Sequence, residues 1–202
     1  LQQRIDQRIP LPYITGQAWF CCLPFYVTPQ VLIPRSPIAE LIEAQFQPWL
    51  RQTPKRILDL CCGNGCIGIA AALAFPNAEV VLADISDDAL QLARQNLQRH
   101  DLQQRVEVVQ SDLFTALQGS FDLVISNPPY VDAQDMQALP AEYRHEPTMA
   151  LASGEDGMQH PQQILQQVGG YLSVNGVLVM EVGNSWPALE KLFPETPFCW
   201  LE

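Results

Sequence analysis

No apolar run in this 202-residue sequence approaches the length that spans a bilayer, and no charged-then-apolar leader opens it. Membrane insertion and secretion are therefore not expected, and a cytoplasmic location is. Basic residues are scarce in the second half: from Val106 to Glu202 only Arg144 and Lys191 stand against thirteen acids, and the whole chain carries a net charge of −11. A surface of that sign repels phosphate backbones, so stable nucleic-acid binding is not expected. It suits a basic protein partner, or simply serves solubility. The six cysteines (Cys21, Cys22, Cys61, Cys62, Cys66 and Cys199) show no repeated C-x-x-C pairing, and the three histidines lie far from them in sequence. No metal site is expected from that pattern. Adjacent cysteines such as Cys21-Cys22 and Cys61-Cys62 are strained as disulfides, so the cysteines read as reduced, small, buried residues. Repeats and low-complexity tracts are also missing, and the length fits one domain with a single large core.

What is present is alternation. Residues 1–33 are broken by Pro10, Pro12, Gly16, Pro24 and Pro29, and the short pieces Ala18–Phe20 and Phe25–Val27 predict a small hairpin cap. Gln-rich residues 1–7, starting at Leu1, read as the tail of a helix, so the chain is expected to be a fragment. Ser36-Pro37 predicts a helix start, with Ile38, Leu41, Ile42 and Phe46 on its apolar side and Pro48 as its end. From Arg56 onward strands are expected at residues 57–60, 80–83, 106–109, 123–126 and 177–182, and a last one at 198–201. Helices are expected at 65–75, 86–99 and 161–172. Near-continuous apolar strands between helices specify a parallel sheet covered on both faces. The fold class is α/β: a doubly wound, mostly parallel Rossmann-like sheet with a small N-terminal hairpin cap. Residues 1–36 are expected to form the end of a truncated helical domain plus the cap, and residues 37–202 the main α/β domain. Its ligand crevice belongs at the carboxyl ends of the strands. The irregular stretch from Val131 to His160 is long enough to read as a functional loop over that crevice.

The polar residues fall where such a crevice would need them. Asp59-Leu60-Cys61-Cys62-Gly63-Asn64-Gly65 ends the first strand in a tight turn. Its glycines allow close approach to a ligand, and Asp59 could meet a cationic amino group. Asp84, ending the next strand, is placed to accept two ribose hydroxyls. Asp112, after the third, could take an exocyclic amine, with Ile85 and Leu113 as apolar walls. Gly63-x-Gly65-x-x-Gly68 also satisfies a dinucleotide fingerprint. Against a dehydrogenase, Asp59 would crowd a pyrophosphate, and such an enzyme has no use for the tetrapeptide that ends the fourth strand. There the run Phe121–Ser126 stops at Asn127-Pro128-Pro129-Tyr130. Two prolines remove two N–H donors and leave the preceding carbonyls unpaired with a neighbouring strand. The Asn127 side-chain oxygen and the Pro128 carbonyl could then hold both hydrogens of a planar –NH2 group, with Tyr130 offering a stacking face.

In this order and spacing, residues 59–65, Asp84, Asp112 and 127–130 resemble the class I S-adenosylmethionine methyltransferases, in the branch that methylates planar amino groups. Residues 31–35 (Val-Leu-Ile-Pro-Arg), Glu40-Leu41, Glu146-Pro147, Ala150-Leu151 and Gly154-x-x-Gly157 resemble the protein-glutamine methyltransferases and not the DNA adenine enzymes. Pro34-Arg35-Ser36-Pro37, Cys61 in the first glycine position of the motif, and residues 142–147 (Glu-Tyr-Arg-His-Glu-Pro) are similar to the branch acting on the third large-subunit ribosomal protein, rather than on release factors. The resemblance implies S-adenosyl-L-methionine as cofactor, held by Asp59, Cys61, Cys62, Gly63, Asn64, Gly65, Asp84, Ile85, Asp112, Leu113 and Asn127. It implies Asn127, Pro128 and Tyr130 as catalytic residues, with Pro129, Arg35 and Glu146 joining them around the substrate. A basic ribosomal protein is the implied partner, with a release factor as alternative. A DNA enzyme or a non-catalytic cofactor binder stands further off. Family members carry one more strand than the expected 198–201 segment, so the last strand is expected to be missing. An amide needs no strong base for methylation, and His145 is the one loop histidine considered as a proton relay.

Overall fold

The computed structural model describes residues 2–201; Leu1, expected in the helix tail, and Glu202 lie outside them. Two short helices, α1 (Gln2–Asp6) and α2 (Leu11–Thr15), lead into an antiparallel hairpin of β1 (Gln17–Phe20) and β2 (Leu23–Tyr26). Phe20 pairs with Leu23, so the hairpin turns on Cys21 and Cys22, both at positive φ. A two-residue hairpin turn demands that left-handed backbone, and here it is met without glycine. Next comes α3 (Ile38–Glu43), three residues shorter than the sequence pattern predicts. Gln45 and Phe46 take left-handed backbone instead, which folds the fully buried Phe46 ring back against Phe75, 6.3 Å between centroids.

The main body continues as β3 (Arg56–Leu60), α4 (Cys66–Ala74), β4 (Glu79–Asp84), α5 (Asp87–Arg99), β5 (Val106–Gln110), β6 (Phe121–Ser126), α6 (Ala133–Ala138), α7 (Gln159–Val168), β7 (Leu172–Met180) and α8 (Trp186–Leu192). All five strands are parallel, in the order β5-β4-β3-β6-β7. Alternate residues feed two cores. Ile57, Val80, Leu82, Leu123 and Ile125 pack under α4 and α5, while Leu58, Leu60, Val81, Ala83 and Val124 meet Phe114 and the α7 residues Ile164 and Val168. Each fully buried side chain of this size contributes about 1.5–3 kcal/mol, which is why the strands read as unbroken apolar runs. Ser86 caps α5 by accepting the Ala89 amide at 3.3 Å, as its sequence position predicts.

Two expectations are corrected at the C-terminal side. Gly169-Gly170 ends α7 before Leu172, which opens β7, and that strand closes at Met180. Residues 198–201 form no strand. Phe198 and Trp200 stack at 4.9 Å, Trp186 lies 5.8 Å from Trp200, and the Trp200 indole donates to Glu190. Aromatic packing has displaced strand pairing there. The expected loop at residues 131–160 holds α6, two 3-10 turns at residues 141–145 and 148–150, and a parallel bridge between Val131 and Ala152. No helix among the described residues is long and apolar enough to cross a membrane. Strand order reverses between β3 and β6, and the ligand crevice of such a sheet opens at that reversal.

Candidate active site

The β3-β4-β5 side of the reversal is built from carboxylates bonded to backbone amides. Asp59 is wholly buried, and its Oδ2 accepts the Gly68 amide at 2.7 Å, while Oδ1 has no partner among the described residues. Burial raises its pKa to about 7, with the neighbouring Asp84 charge adding to the rise. Gly68 permits this contact, since a Cβ there would lie 2.2 Å from Leu82 Cδ2 and 2.8 Å from Asp59 Cβ. Asp84 closes β4 with both oxygens on amides, Gly63 at 2.8 Å and Ser86 at 2.9 Å. Its pKa is also raised, chiefly by burial. Gly63 stands at φ +55, and a Cβ built there meets nothing within 4 Å, so open space adjoins that turn. The Ser111 amide donates to the Asp84 carbonyl, which brings exposed Asp112 alongside Asp84. Ile85 is 52% exposed beside them.

Three residues expected to touch a cofactor turn inward. Cys62 belongs to the core under α4. Asn64 is buried, donating to the Tyr26 carbonyl at 3.1 Å and accepting the Cys66 amide, so its side chain ties the glycine turn to the hairpin. Leu113 packs with Phe114 in the opposite core. Packing claims all three side chains, Cys62 and Leu113 in the two separate cores and Asn64 against the hairpin. Cys61 is half-buried at φ +58, and burial pushes its thiol pKa well up. An unpartnered buried carboxylate oxygen, a second carboxylate at the next strand end and open space at Gly63 fit a cationic nucleoside cofactor.

The β6-β7 side is built differently, from side chain to side chain. Ser126 Oγ donates to the Leu60 carbonyl at 2.8 Å, fastening β6 to β3 at the reversal. Beyond it Asn127, Pro128 and Tyr130 line a cavity of about 750 Å³, together with Arg35, Tyr143 and Glu181. Pro129 is half-buried beside them. The Tyr130 hydroxyl donates to Glu181 Oε1 at 2.5 Å, and burial together with that carboxylate pushes its pKa well up, so the phenol stays protonated. Glu181 Oε2 accepts the Ser36 hydroxyl at 2.6 Å. One face of the Tyr130 ring is closed by Gly183, where a Cβ would come within 2.7 Å of Cε2.

Arg35 lies 4.6 Å over the Tyr143 ring and donates to Glu146 at 2.7 Å. Burial works against its charge, but the Glu146 carboxylate outweighs that and its pKa is raised. Glu146 is itself buried, also accepts the Ile33 amide, and holds Arg35 in place rather than facing the cavity. His145 Nε2 lies 2.8 Å from the Gln7 carbonyl and does not line the cavity, so the relay considered from sequence has no support in its position. Glu181 and Gly183 are not singled out by the sequence, and Ser36 and Tyr143 read there as a helix start and as part of a motif, not as site residues. The one signal for Glu181 is an acid directly after an otherwise apolar strand.

The methyltransferase small domain model matches residues 41–145. A ribosomal protein uL3 glutamine methyltransferase of Francisella tularensis is 49% identical over 98% of this chain and 64% of its own length. One from Bordetella pertussis is 45% identical over 100% of this chain and 69% of its own length. The chain thus spans about two thirds of the curated relatives it matches. A solved methyltransferase from Pyrococcus furiosus, 20% identical, shares the fold with a TM-score of 0.63, over 96% of this chain and 85% of that one. With a reversal-point crevice, carboxylates at successive strand ends and a proline corner beside them, the chain belongs to the methyltransferase small domain family, among the ribosomal protein uL3 glutamine methyltransferases.

Proposed function

We propose that the chain transfers a methyl group from S-adenosyl-L-methionine to the side-chain amide nitrogen of a glutamine in ribosomal protein uL3. The observation that carries this reading is the position of Asn127, Pro128 and Tyr130. They line a cavity large enough for a side chain, on the opposite side of the strand reversal from the Asp59 and Asp84 carboxylates. The names of the relatives supply the target, and the acidic surface suits a basic ribosomal protein. The reading puts the reaction in the cytoplasm, where ribosomal proteins are assembled.

Asp59 would meet the cofactor's amino group, Asp84 its ribose, and Asp112 with Ile85 its base, while the Gly63 and Gly65 turn lets the ligand approach the backbone. The cofactor supplies an electrophilic sulfonium methyl. An amide nitrogen is a weak nucleophile because its lone pair is delocalised into the carbonyl. Asn127 Oδ1 and the Pro128 carbonyl would each accept one N–H of the carboxamide, fixing the nitrogen's direction. Both bonds strengthen as positive charge grows on nitrogen, a preorganised electrostatic effect of about 3 kcal/mol per group in comparable sites. The Tyr130 ring sets the plane of the amide, and Arg35 meets the flanking substrate. The proton leaves to water after transfer, so no general base is needed.

The test is transfer of labelled methyl by one preparation to uL3, to release factors and to adenine-containing DNA. Label on a uL3 glutamine is expected. Label on release factors alone would move the target but keep the chemistry, and label on DNA alone would overturn the reading.

A further inference from the structure

We infer that Glu181 is the positioning residue for the Tyr130 ring and that it joins the two walls of the cavity into one unit. The kinetic part of this inference rests on the function proposed above. Three contacts carry it. Glu181 Oε1 takes the Tyr130 hydroxyl at 2.5 Å, Oε2 takes the Ser36 hydroxyl at 2.6 Å, and the Glu181 amide donates to the Ser126 carbonyl at 3.0 Å, which continues the β6-β7 ladder past the last residue of β7. The carboxylate is thus held by the sheet and holds a side chain from each wall.

Tyrosine has two side-chain torsions, and both are constrained here. Gly183 closes one face of the ring, and the charged acceptor fixes the hydroxyl at its far end. A ring held at its face and its tip cannot tilt, so a planar amide lying on the open face inherits a fixed plane. Ser36 comes directly after Arg35, whose guanidinium lines the same cavity and pairs with Glu146. Through Ser36, Glu181 therefore also sets the segment that carries Arg35. Each oxygen of Glu181 is already engaged by one hydroxyl.

A merely structural Glu181 would tie the end of β7 to the start of α3 and matter equally through either partner. Steady-state kinetics on Glu181→Ala, Glu181→Gln, Ser36→Ala, Tyr130→Phe and the Tyr130→Phe/Glu181→Ala double variant separate the two roles. Glu181→Ala is expected to lower kcat roughly ten- to hundredfold, the usual cost of a small misplacement at a reacting centre, with cofactor affinity unchanged. Glu181→Gln keeps an oxygen for the Tyr130 hydroxyl and restores most of that loss, and Ser36→Ala loses less than Glu181→Ala. The double variant is expected to exceed the loss of Tyr130→Phe by no more than the loss seen in Ser36→Ala. Losses that multiply in the double variant, or a Ser36→Ala loss equal to that of Glu181→Ala, would overturn the inference.

One readout needs no substrate. In protein labelled with fluorotyrosine, the fluorine resonance missing from Tyr130→Phe belongs to Tyr130, and it is expected to be a single sharp line that splits or broadens in Glu181→Ala. An unchanged line would overturn the positioning role. If wild-type protein labels no glutamine, the proposed function fails while this line still decides how the ring is held.

Discussion

The two halves of the crevice are assembled by opposite means. On the β3-β4-β5 side, carboxylates bond to backbone amides close by in sequence: Asp84 to Ser86 two residues on, Asp59 to Gly68 nine residues on, and Asp84 to Gly63 across 21 residues. On the β6-β7 side the bonds run between side chains far apart, 51 residues for Tyr130 to Glu181, 111 for Arg35 to Glu146 and 145 for Ser36 to Glu181. A site made of local turns works as soon as its strands pair. A site made of distant side chains exists only when the whole domain has closed, so under the proposed roles substrate recognition would depend on global packing more than cofactor binding does.

Substitutions can break that comparison. Asn127→Ala should act on one half alone: turnover falls by about 10²–10³-fold, the loss typical of one preorganised acceptor or donor, while cofactor affinity measured by calorimetry stays as it was. Parallel losses in both would erase the division between halves.

The next effect is a pH dependence confined to the other half. Asp59 has its folded pKa raised from 3.8 to about 7, so the folded state holds the proton more tightly than the unfolded chain. The stability it contributes is fully present below pH 4 and is lost as pH rises through 7, by up to a few kcal/mol at 1.36 kcal/mol per unit. Denaturant titrations between pH 4 and 8 should show that decline, and Asp59→Asn should flatten it. Saturating cofactor should also shrink it, because a bound ammonium favours the ionised carboxylate. A slope that Asp59→Asn leaves intact would locate the titration elsewhere.

Asp84→Asn is expected to weaken cofactor binding about tenfold, the worth of a charge-assisted hydrogen bond, with kcat at saturating cofactor little changed. The mildest effect belongs to Gly183→Ala, whose new methyl meets the Tyr130 ring at φ +51. A loss of about 1–2 kcal/mol, seen as a melting temperature lowered by a few degrees, should come with a raised KM for protein substrate.

The same division explains what was legible in the sequence. The parallel sheet, the hairpin and the strand-end acids could be read because apolar runs, glycines and aspartates mark them within a few residues. Asn127 to Tyr130 could be read because prolines announce themselves. Glu181 could not, since an acid after a strand looks like any surface charge until Tyr130 and Ser36 are brought to it. Asn64 shows the converse: its place in a ligand-like turn gives no sign of the Tyr26 carbonyl that its side chain bonds. The 198–201 strand failed because β propensity in Phe198, Cys199, Trp200 and Leu201 describes a half-buried apolar surface, which aromatic stacking also satisfies.

Gly183 against the Tyr130 ring carries one more consequence. In the proposed reaction a flat guest would lie on the other side of the phenol and present one lobe of its nitrogen's π system to the incoming electrophile. The absent side chain at position 183 is what lets the phenol lie against that backbone, so on the proposed reading the approach of the guest is set by a glycine that never touches it.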